Sequence, residues 1–260
     1  MRALILSDIH ANLQALQAVL AQAPPHDVVW NLGDIVGYGA NPNEVIDAVR
    51  PLGTTFVRGN HDRACSGLTD VDGFNPVASR AAKWTQCVLS SEHTAWLRHL
   101  PQGPVMPAGP VSADVPANGA AVRCAHGSLL DEDEYVLSAR DALHSLTGDG
   151  AAINFFGHTH LQGGFATDGE QWYRLAPDYF TRDTAETWEL QLSSGARYML
   201  NPGSVGQPRD GNWRAAFAIY DTERHTVLFC RVPYDLRSAQ DAILRAGLPD
   251  RLASRLRDGR

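Results

Sequence analysis

The sequence has no apolar run approaching the roughly 20 residues of a membrane-spanning helix, and the short run Ala3–Leu6 is too brief for a secretory signal. A cytoplasmic location without a membrane partner is expected. There is no Lys/Arg-rich run, and the formal net charge is −7, which argues against a surface built for long polyanions such as duplex nucleic acid. Two bound divalent cations would offset more than half of that charge and make a cleft locally electropositive, so a small phosphorylated substrate stays within reach. The four cysteines, Cys65, Cys87, Cys124 and Cys230, are scattered without a CxxC pair, favouring reduced, mostly packed thiols over disulfides or a zinc knuckle. Internal repeats and a low-complexity tail are also lacking.

What is present is an ordinary globular composition, 44% hydrophobic and 20% charged over 260 residues, enough to bury a large core. Short apolar runs at Ala3–Leu6, Val28–Leu32, Thr54–Val57, Ala120–Cys124 and Ile153–Phe156 read as strands buried on both faces. Leu13, Leu16, Val19 and Leu20 mark one face of a helix ended by Pro24-Pro25, and Pro42–Val49 and Pro76–Leu89 read as helices with proline near the start. The alternation predicts a layered α/β fold. From Phe165 onward, short alternating runs, Trp188–Leu192, Arg197–Leu200, Ala215–Tyr220 and Thr226–Val232, predict antiparallel strands and a second sheet. Asp235 to Arg257 reads as two short helices broken at Gly247–Pro249. The proline-rich stretch Pro101–Gly119 resembles a linker, but three of the motifs below precede it and two follow. We therefore expect one domain, residues 1–260, with a loop or irregular hairpin there.

Directly after five of the predicted strands stand Asp8-Ile9-His10, Gly33-Asp34, Gly59-Asn60-His61-Asp62, His126 and Gly157-His158-Thr159-His160. Ligands of layered α/β folds gather at the carboxyl ends of strands, so five distant loops can converge. Asp, Asn and imidazole are donors of intermediate hardness, suited to Mn, Fe, Co or Zn, whereas Mg or Ca sites use far fewer histidines. Together these residues are the complement of a two-metal hydrolytic site. In extended backbone, residues i and i+2 face the same side, so Asp8 with His10, and His158 with His160, are expected to aim together. Gly33, Gly59 and Gly157 are expected to supply unusual backbone angles and room. Asp34 is the expected bridge, since a carboxylate can hold two cations about 3.5–4 Å apart.

Other residues carry weaker signals. Asp131-Glu132-Asp133-Glu134 is expected to start a helix rather than to bind a cation. Gly37-Tyr38-Gly39 reads as a turn that lets Tyr38 reach substrate, while Arg58 and Arg209 are candidate phosphate clamps. Asn201 and Ser204 should shape a loop beside the metals. Trp213 and the histidines at 26, 93, 99, 144 and 225 read as packing or surface residues.

Taken in order, the five motifs resemble the calcineurin-like metallophosphoesterase superfamily, and the segments Asn201–Gly211 and Tyr234–Leu256 resemble its bacterial and archaeal branch of small phosphoesterases. The resemblance implies an α/β fold, a four-layer αββα sandwich of two mixed β-sheets flanked by helices. It implies two divalent transition metals per chain, with manganese first and Fe, Zn, Co or Ni as alternatives. One metal would take Asp8, His10, Asp34 and His160, the other Asp34, Asn60, His126 and His158. It further implies that His61 sits by the leaving group, with Asp62 orienting it. The implied activity is hydrolysis of phosphodiester or nucleotide phosphoanhydride bonds by a hydroxide shared between the metals. A protein Ser/Thr phosphatase or general phosphomonoesterase is the alternative, although the Asp-Arg-Gly element of the Ser/Thr phosphatases is replaced by Gly37-Tyr38-Gly39. A non-catalytic scaffold need not keep His61, and its retention argues against that reading. The implied partner is a small nucleotide-like phosphorylated substrate. The oligomeric state is left open, a homodimer among the options.

Overall fold

The computed structural model describes residues 1–107, 122–147 and 151–260. Among them the chain runs β1 (Arg2–Leu6), α1 (Leu13–Gln22), β2 (Val28–Asn31), α2 (Pro42–Val49), β3 (Thr55–Phe56), α3 (Asn60–Cys65), α4 (Pro76–Val88), α5 (Ser91–Arg98) and β4 (Val122–Cys124). It continues with α6 (Ala139–Leu146), β5 (Ile153–Phe155), β6 (Gly163–Thr167), β7 (Trp172–Leu175), β8 (Glu186–Gln191), β9 (Arg197–Asn201), β10 (Ala215–Asp221), β11 (Thr226–Val232), α7 (Leu236–Arg245) and α8 (Asp250–Asp258).

The strands form two mixed sheets, ordered β3-β2-β1-β10-β11-β8 and β4-β5-β9-β6-β7. The strand β1 shows why its sequence reads as one continuous apolar run. Leu4 and Leu6 face a core shared with α1, α2, α4, α7 and α8, while Ala3 and Ile5 face a core between the sheets. Strand β10 repeats this, sending Ala215, Phe217 and Ile219 to the helices and Ala218 and Tyr220 inward. Residues i and i+2 share a face, so a strand between two apolar layers needs no polar alternation. The second sheet covers its outer face with α6, through Ala142, Leu146, Phe165 and Met199. The order of layers is helices, sheet, sheet, helix, as the resemblance implied.

The two predicted groups of strands do not map onto the two sheets. β1, β2 and β3 share a sheet with the late strands β8, β10 and β11, whereas β4 and β5 join β9, β6 and β7. Each sheet is thereby mixed, with a parallel half bearing the motifs and an antiparallel half closing it. The carboxyl ends of five parallel strands, three in one sheet and two in the other, meet at one rim of the sandwich.

One sequence expectation fails here. Asp131–Glu134 starts no helix; α6 begins eight residues after Asp131, at Ala139, with Ser138 and Asp141 forming its capping box. The acidic run folds into turns instead, and Glu132 is buried. The expected loop at Pro101–Gly119 lies outside the described residues from 108 on, although Val105 already pairs with Cys124 in an isolated antiparallel bridge. No described helix is long and apolar enough to cross a membrane. The four cysteines are free, and Cys65, Cys124 and Cys230 are buried.

Candidate metal centre and active-site cleft

All five motifs lie immediately beyond β1, β2, β3, β4 and β5, and their side chains converge. Asp8, His10, Asp34 and His160 form one group of ligand atoms lying within 4.8 Å of one another; Asp34, His126 and His158 form a second, and Asp34 belongs to both. The six residues are all buried. Asn60 joins the second group, its Oδ1 lying 3.3 Å from His126 Nε2.

Local backbone geometry makes this convergence possible, but not in the way the sequence suggests. Asp8 and His10 have φ of 53° and 50°, His158 and His160 have 63° and 61°, and Asp34 has 53°. The two Asp/His-x-His pairs are left-handed turns, not extended backbone. A non-glycine residue there costs about 1–2 kcal/mol, so the surrounding structure must hold it. Backbone bonds do so. Asp8 N–H donates to the Gly33 carbonyl at 2.9 Å and His10 N–H to the Asp34 carbonyl at 2.9 Å. Gly206 N–H reaches the Asp8 carbonyl at 3.0 Å, and Gly157 N–H the His126 carbonyl at 2.8 Å. Glycine's role is also reassigned. Only Gly33 of the three motif glycines has a positive φ, while a Cβ at Gly59 would overlap the Asp34 carboxylate and one at Gly157 would overlap Ser7 Oγ. Those two positions are needed for close approach.

Four histidines turn one nitrogen to the centre because their other nitrogens meet backbone carbonyls. His10 Nδ1 pairs with the Val36 carbonyl at 3.1 Å, His126 Nδ1 with the Leu32 carbonyl at 2.8 Å, and His160 Nδ1 with the Gln207 carbonyl at 2.5 Å. A carbonyl can only accept, so each Nδ1 carries a proton; His10 and His160, which burial keeps neutral, are left with bare Nε2 acceptors, whereas Nε2 of His126 faces Asp34 Oδ1 at 3.5 Å, which favours a proton there. His158 is reversed: its Nε2 pairs with the Asp133 carbonyl at 3.1 Å, which leaves Nδ1 for the centre. The result is a conflict that protein groups do not resolve. His10 Nε2 and His160 Nε2 stand 3.2 Å apart, two acceptors face to face, and Asp8 Oδ1 is buried among them without a hydrogen-bond partner among the described residues. A cation resolves both, and carbonyl-oriented imidazoles are the usual outer support of metal ligands. The donor set fits metal.

The electrostatics carry the same signature of missing positive charge. Burial pushes the Asp8 carboxyl up to about 7, with Asp34 adding to the rise. Burial alone would raise Asp34 too, but His126 and His61 hold it well below the usual carboxylate range. His126 goes the other way from its burial and is drawn up to about 10 by Asp34. His10 and His160 are pushed well below the usual imidazole value by burial.

Asp34 holds the position of a bridge. Its Oδ1 accepts the His61 backbone N–H at 2.8 Å and lies 3.5 Å from His126 Nε2, while its Oδ2 lies 3.5 Å from His10 Nε2. The two oxygens thus address the two groups separately.

Beside this centre opens a cleft of about 430 Å³, lined by Tyr38, Asn60, His61, Arg63, Phe74, Tyr135, His158 and Arg209 among others. His61 Nδ1 is buried against Gly37 with no hydrogen-bond partner among the described residues. The neutral ring therefore keeps its proton on Nε2, the nitrogen left to the cleft, and burial holds its pKa down to about 4. Asp62 makes no bond to that ring, contrary to expectation. Its Oδ1 accepts Ile35 N–H at 2.8 Å and Val36 N–H at 3.2 Å, and its Oδ2 accepts Gly59 N–H at 3.0 Å, so it fixes the loop after β2 against the start of α3.

The two candidate clamps part company. Arg209 lines the cleft, 5.9 Å above the Tyr38 ring, with Nη2 on Gln207 Oε1 at 3.2 Å and Nε buried without a partner among the described residues. Arg58 does not line it; its guanidinium lies on Glu132 at 2.9 Å. Arg63, which the sequence reading overlooked, does line it, and joins Glu132 and, at 2.6 Å, Asp133. The acidic run thus neutralises two arginines and offers the Asp133 carbonyl to His158. Asn201 and Ser204 behave as expected: Asn201 Nδ2 donates to the Gly157 carbonyl at 2.7 Å, and Ser204 Oγ to the Asp8 carbonyl at 2.7 Å. Ser7, whose Oγ donates to Asp8 Oδ2 at 2.7 Å, was also overlooked; only its place beside Asp8 could have signalled it.

Buried aspartates and histidines of this kind, at the joined rims of two sheets, fit a metal-dependent enzyme, and comparison with known proteins gives the class. The calcineurin-like phosphoesterase superfamily domain matches residues 1–225, and the chain belongs to that superfamily, hydrolases of phosphate esters. The chain is similar to a metallophosphoesterase from Sphaerobacter thermophilus of known crystal structure, at 38% identity and a TM-score of 0.79, covering 100% of this chain and 99% of that one. It is similar to an uncharacterized protein of Methanocaldococcus jannaschii, 33% identical over 258 residues, 98% of this chain and 97% of the relative. A shorter likeness, 32% over 102 residues, links it to a symmetrical bis(5'-nucleosyl)-tetraphosphatase of Yersinia enterocolitica, covering 37% of this chain and 35% of that protein.

Proposed function

We propose that the chain hydrolyses phosphodiester or nucleotide phosphoanhydride bonds at a dinuclear centre. One metal would be held by Asp8, His10, Asp34 and His160, the other by Asp34, Asn60, His126 and His158. The observation that supports this is Asp34, whose two oxygens face two separate groups of buried candidate ligand atoms. When bound, two divalent cations would bring water's pKa toward neutrality and neutralise phosphoryl oxygens. Nitrogen-rich donors of intermediate hardness favour manganese, with Fe, Zn, Co or Ni able to substitute.

The protein's own residues supply the rest. Protonated His61 hands its Nε2 proton to the departing oxygen and returns to the neutral imidazole, a contribution typically of about 10²–10⁴-fold. Burial opposes its protonation, but a bound phosphoryl group brings negative charge against the ring and works in the opposite direction. Asp62 positions His61 by pinning the start of α3. Arg209 and Tyr38 bind substrate from the cleft wall, whereas Arg58 serves through Glu132 as support. The likeness to a tetraphosphatase favours a nucleotide-like substrate over a phosphoprotein. Ligands spread from Asp8 to His160, in both sheets, support one working domain over residues 1–260. Its free, mostly buried thiols suit the cytoplasm.

The test is metal analysis of the purified protein together with turnover of bis(p-nitrophenyl) phosphate before and after chelation and on return of manganese. Turnover that survives complete chelation would overturn the proposal.

A further inference from the structure

Glu132 is a buried carboxylate outside both ligand groups, and its partners flank one of the ligand motifs. Its Oε1 accepts Arg58 Nη2 at 2.9 Å and also meets Arg63 Nη1, while its Oε2 accepts Arg58 Nη2 at 3.2 Å. Arg58 directly precedes Gly59-Asn60-His61-Asp62, and Arg63 directly follows it. One side chain therefore grips, at both ends, the segment that supplies Asn60 and His61. Such a grip is stiff, because leaving a charge unpaired in a buried place is strongly unfavourable.

Glu132 itself belongs to the loop that leaves β4 through His126. At Gly127 the chain folds back so closely that a Cβ would lie 2.6 Å from the Asp131 carbonyl oxygen and 2.7 Å from that of Glu132. Ser128 closes the turn: its N–H donates to the Asp131 carbonyl at 3.0 Å, and its Oγ accepts Asp131 N–H at 3.0 Å. The returning chain sets the Asp133 carbonyl 3.1 Å from His158 Nε2 and the Tyr135 ring 4.0 Å from the His158 ring. Asp133 is tied to α3 as well, its Oδ2 accepting Arg63 Nη2 at 2.6 Å. His126, where the loop begins, and His158, where it arrives, belong to the same ligand group. The Asp8 group has other supports: Ser7 Oγ for Asp8 Oδ2, the Val36 carbonyl for His10 Nδ1 and the Gln207 carbonyl for His160 Nδ1.

We propose that Glu132 is a positioning residue for one metal and not the other: by locking Arg58 and Arg63 to the loop 126–135 it fixes the mutual spacing of Asn60, His126 and His158. The proposal rests on the dinuclear reading above and adds to it that the two metals have separate outer supports, so that one group can be loosened while the other stays intact. Outer partners that orient a ligand act on metal affinity in this way.

In the experiment, chelated wild-type protein, Glu132→Gln, Arg58→Gln, His126→Ala and the double variant of Glu132→Gln with His126→Ala are titrated with manganese, and bound metal is counted by elemental analysis. Glu132 acts through the neighbouring backbone, so Glu132→Gln should cost about 10-fold in affinity at one metal, the lower end of the effect of an outer partner, and leave the other within about twofold. In the His126→Ala background, which keeps the Asp8 group, Glu132→Gln should change nothing further. Arg58→Gln separates position from charge, since removing a cation near the centre would by charge alone tighten metal binding, whereas a broken brace weakens one metal. It also carries the test if Glu132→Gln does not fold. Unchanged affinity, equal weakening of both metals, a loss that persists beside His126→Ala, or tighter binding by Arg58→Gln would overturn the proposal. A second readout needs no metal. Long-range proton–nitrogen spectra of the metal-free protein, with the His158 signals assigned by their disappearance in His158→Asn, should show the Nε2–H tautomer in the wild type and a gain of the Nδ1–H tautomer in Glu132→Gln or Arg58→Gln; a tautomer that does not respond would overturn the brace. A wild-type protein that binds fewer than two manganese ions per chain would instead bring down the dinuclear reading, and the tautomer would still decide whether Glu132 orients His158.

Discussion

Replacing Asp34 by asparagine puts the shared ligand to the test. The carboxylate divides its work: Oδ1 accepts His61 N–H at 2.8 Å and faces His126 Nε2 at 3.5 Å, while Oδ2 faces His10 Nε2 at 3.5 Å. In Asp34→Asn the amide oxygen must stay with His61 N–H, since the opposite orientation sets two donors against each other. The NH2 group then points at His10 Nε2 and turns a ligand position into a hydrogen-bond donor. The group made by Asp8, His10 and His160 loses a ligand, a charge and room, and the group at His126 loses the charge. Removing an outer partner of a metal ligand costs about 10–100-fold in affinity, so loss of a direct ligand should cost at least about 100-fold, roughly 2.7 kcal/mol, in the first group. Elemental analysis and titration of the chelated protein with manganese measure it. The stability of the metal-free protein should also fall near neutral pH, because His126 and His61 hold the Asp34 carboxyl well below the usual range and Asp34 draws His126 up to about 10, a favourable pairing that the amide removes. Two metals held per chain by Asp34→Asn with wild-type affinity would refute the shared-ligand reasoning; a metal-free form of unchanged stability would refute the electrostatic part.

Other outcomes follow from individual contacts. Asn60→Ala and His126→Ala should empty the group at His126 and leave the Asp8 group partly filled, and equal loss of both metals by elemental analysis would contradict the division of ligands. His61→Gln should keep its metals yet lose more rate on an alkyl or ribose ester than on a p-nitrophenyl ester, because a general acid matters most for a poor leaving group; equal losses would reduce His61 to a positioning role. Asp62→Asn should lower the melting temperature, since one of the three N–H groups on a fully buried carboxylate must then face an NH2, at about 1–3 kcal/mol. A variant with unchanged stability and a selective loss of rate would restore the direct link to His61 that the geometry denies.

How much of this was legible depended on whether the signal was local. The five motifs, the strands before them and the helices at Pro42, Pro76 and the carboxyl end were readable, because apolar runs and proline positions are properties of short windows. Sheet membership was not. β3 pairs with β2 and β4 with β5 in different sheets, and nothing within either short strand says so. The acidic run 131–134 misled because helix-dipole preference is a weak tendency, whereas Glu132 answers two arginines more than sixty residues away.

The backbone of the ligands holds the deeper reason why the sequence conveyed the right residues with the wrong local geometry. Five ligands lie in the left-handed region, each at about 1–2 kcal/mol, a total comparable with the whole stability of many domains. Such a set persists only when its neighbours over-determine it, and here they do so from both sheets at once. The Ser7 carbonyl receives Val205 N–H at 3.0 Å, the Asp8 carbonyl receives Gly206 N–H, and Asn201 clamps Gly157 and Thr159. The loop from Asn201 to Gly211 is therefore as much a part of the metal centre as the ligand motifs, although it offers no ligand. It supports Asp8 through Ser204 and orients His160 through the Gln207 carbonyl. It also carries Arg209 to the cleft, so one segment supports the candidate ligands and supplies a cleft-lining cation, and a change that moves it must disturb both together.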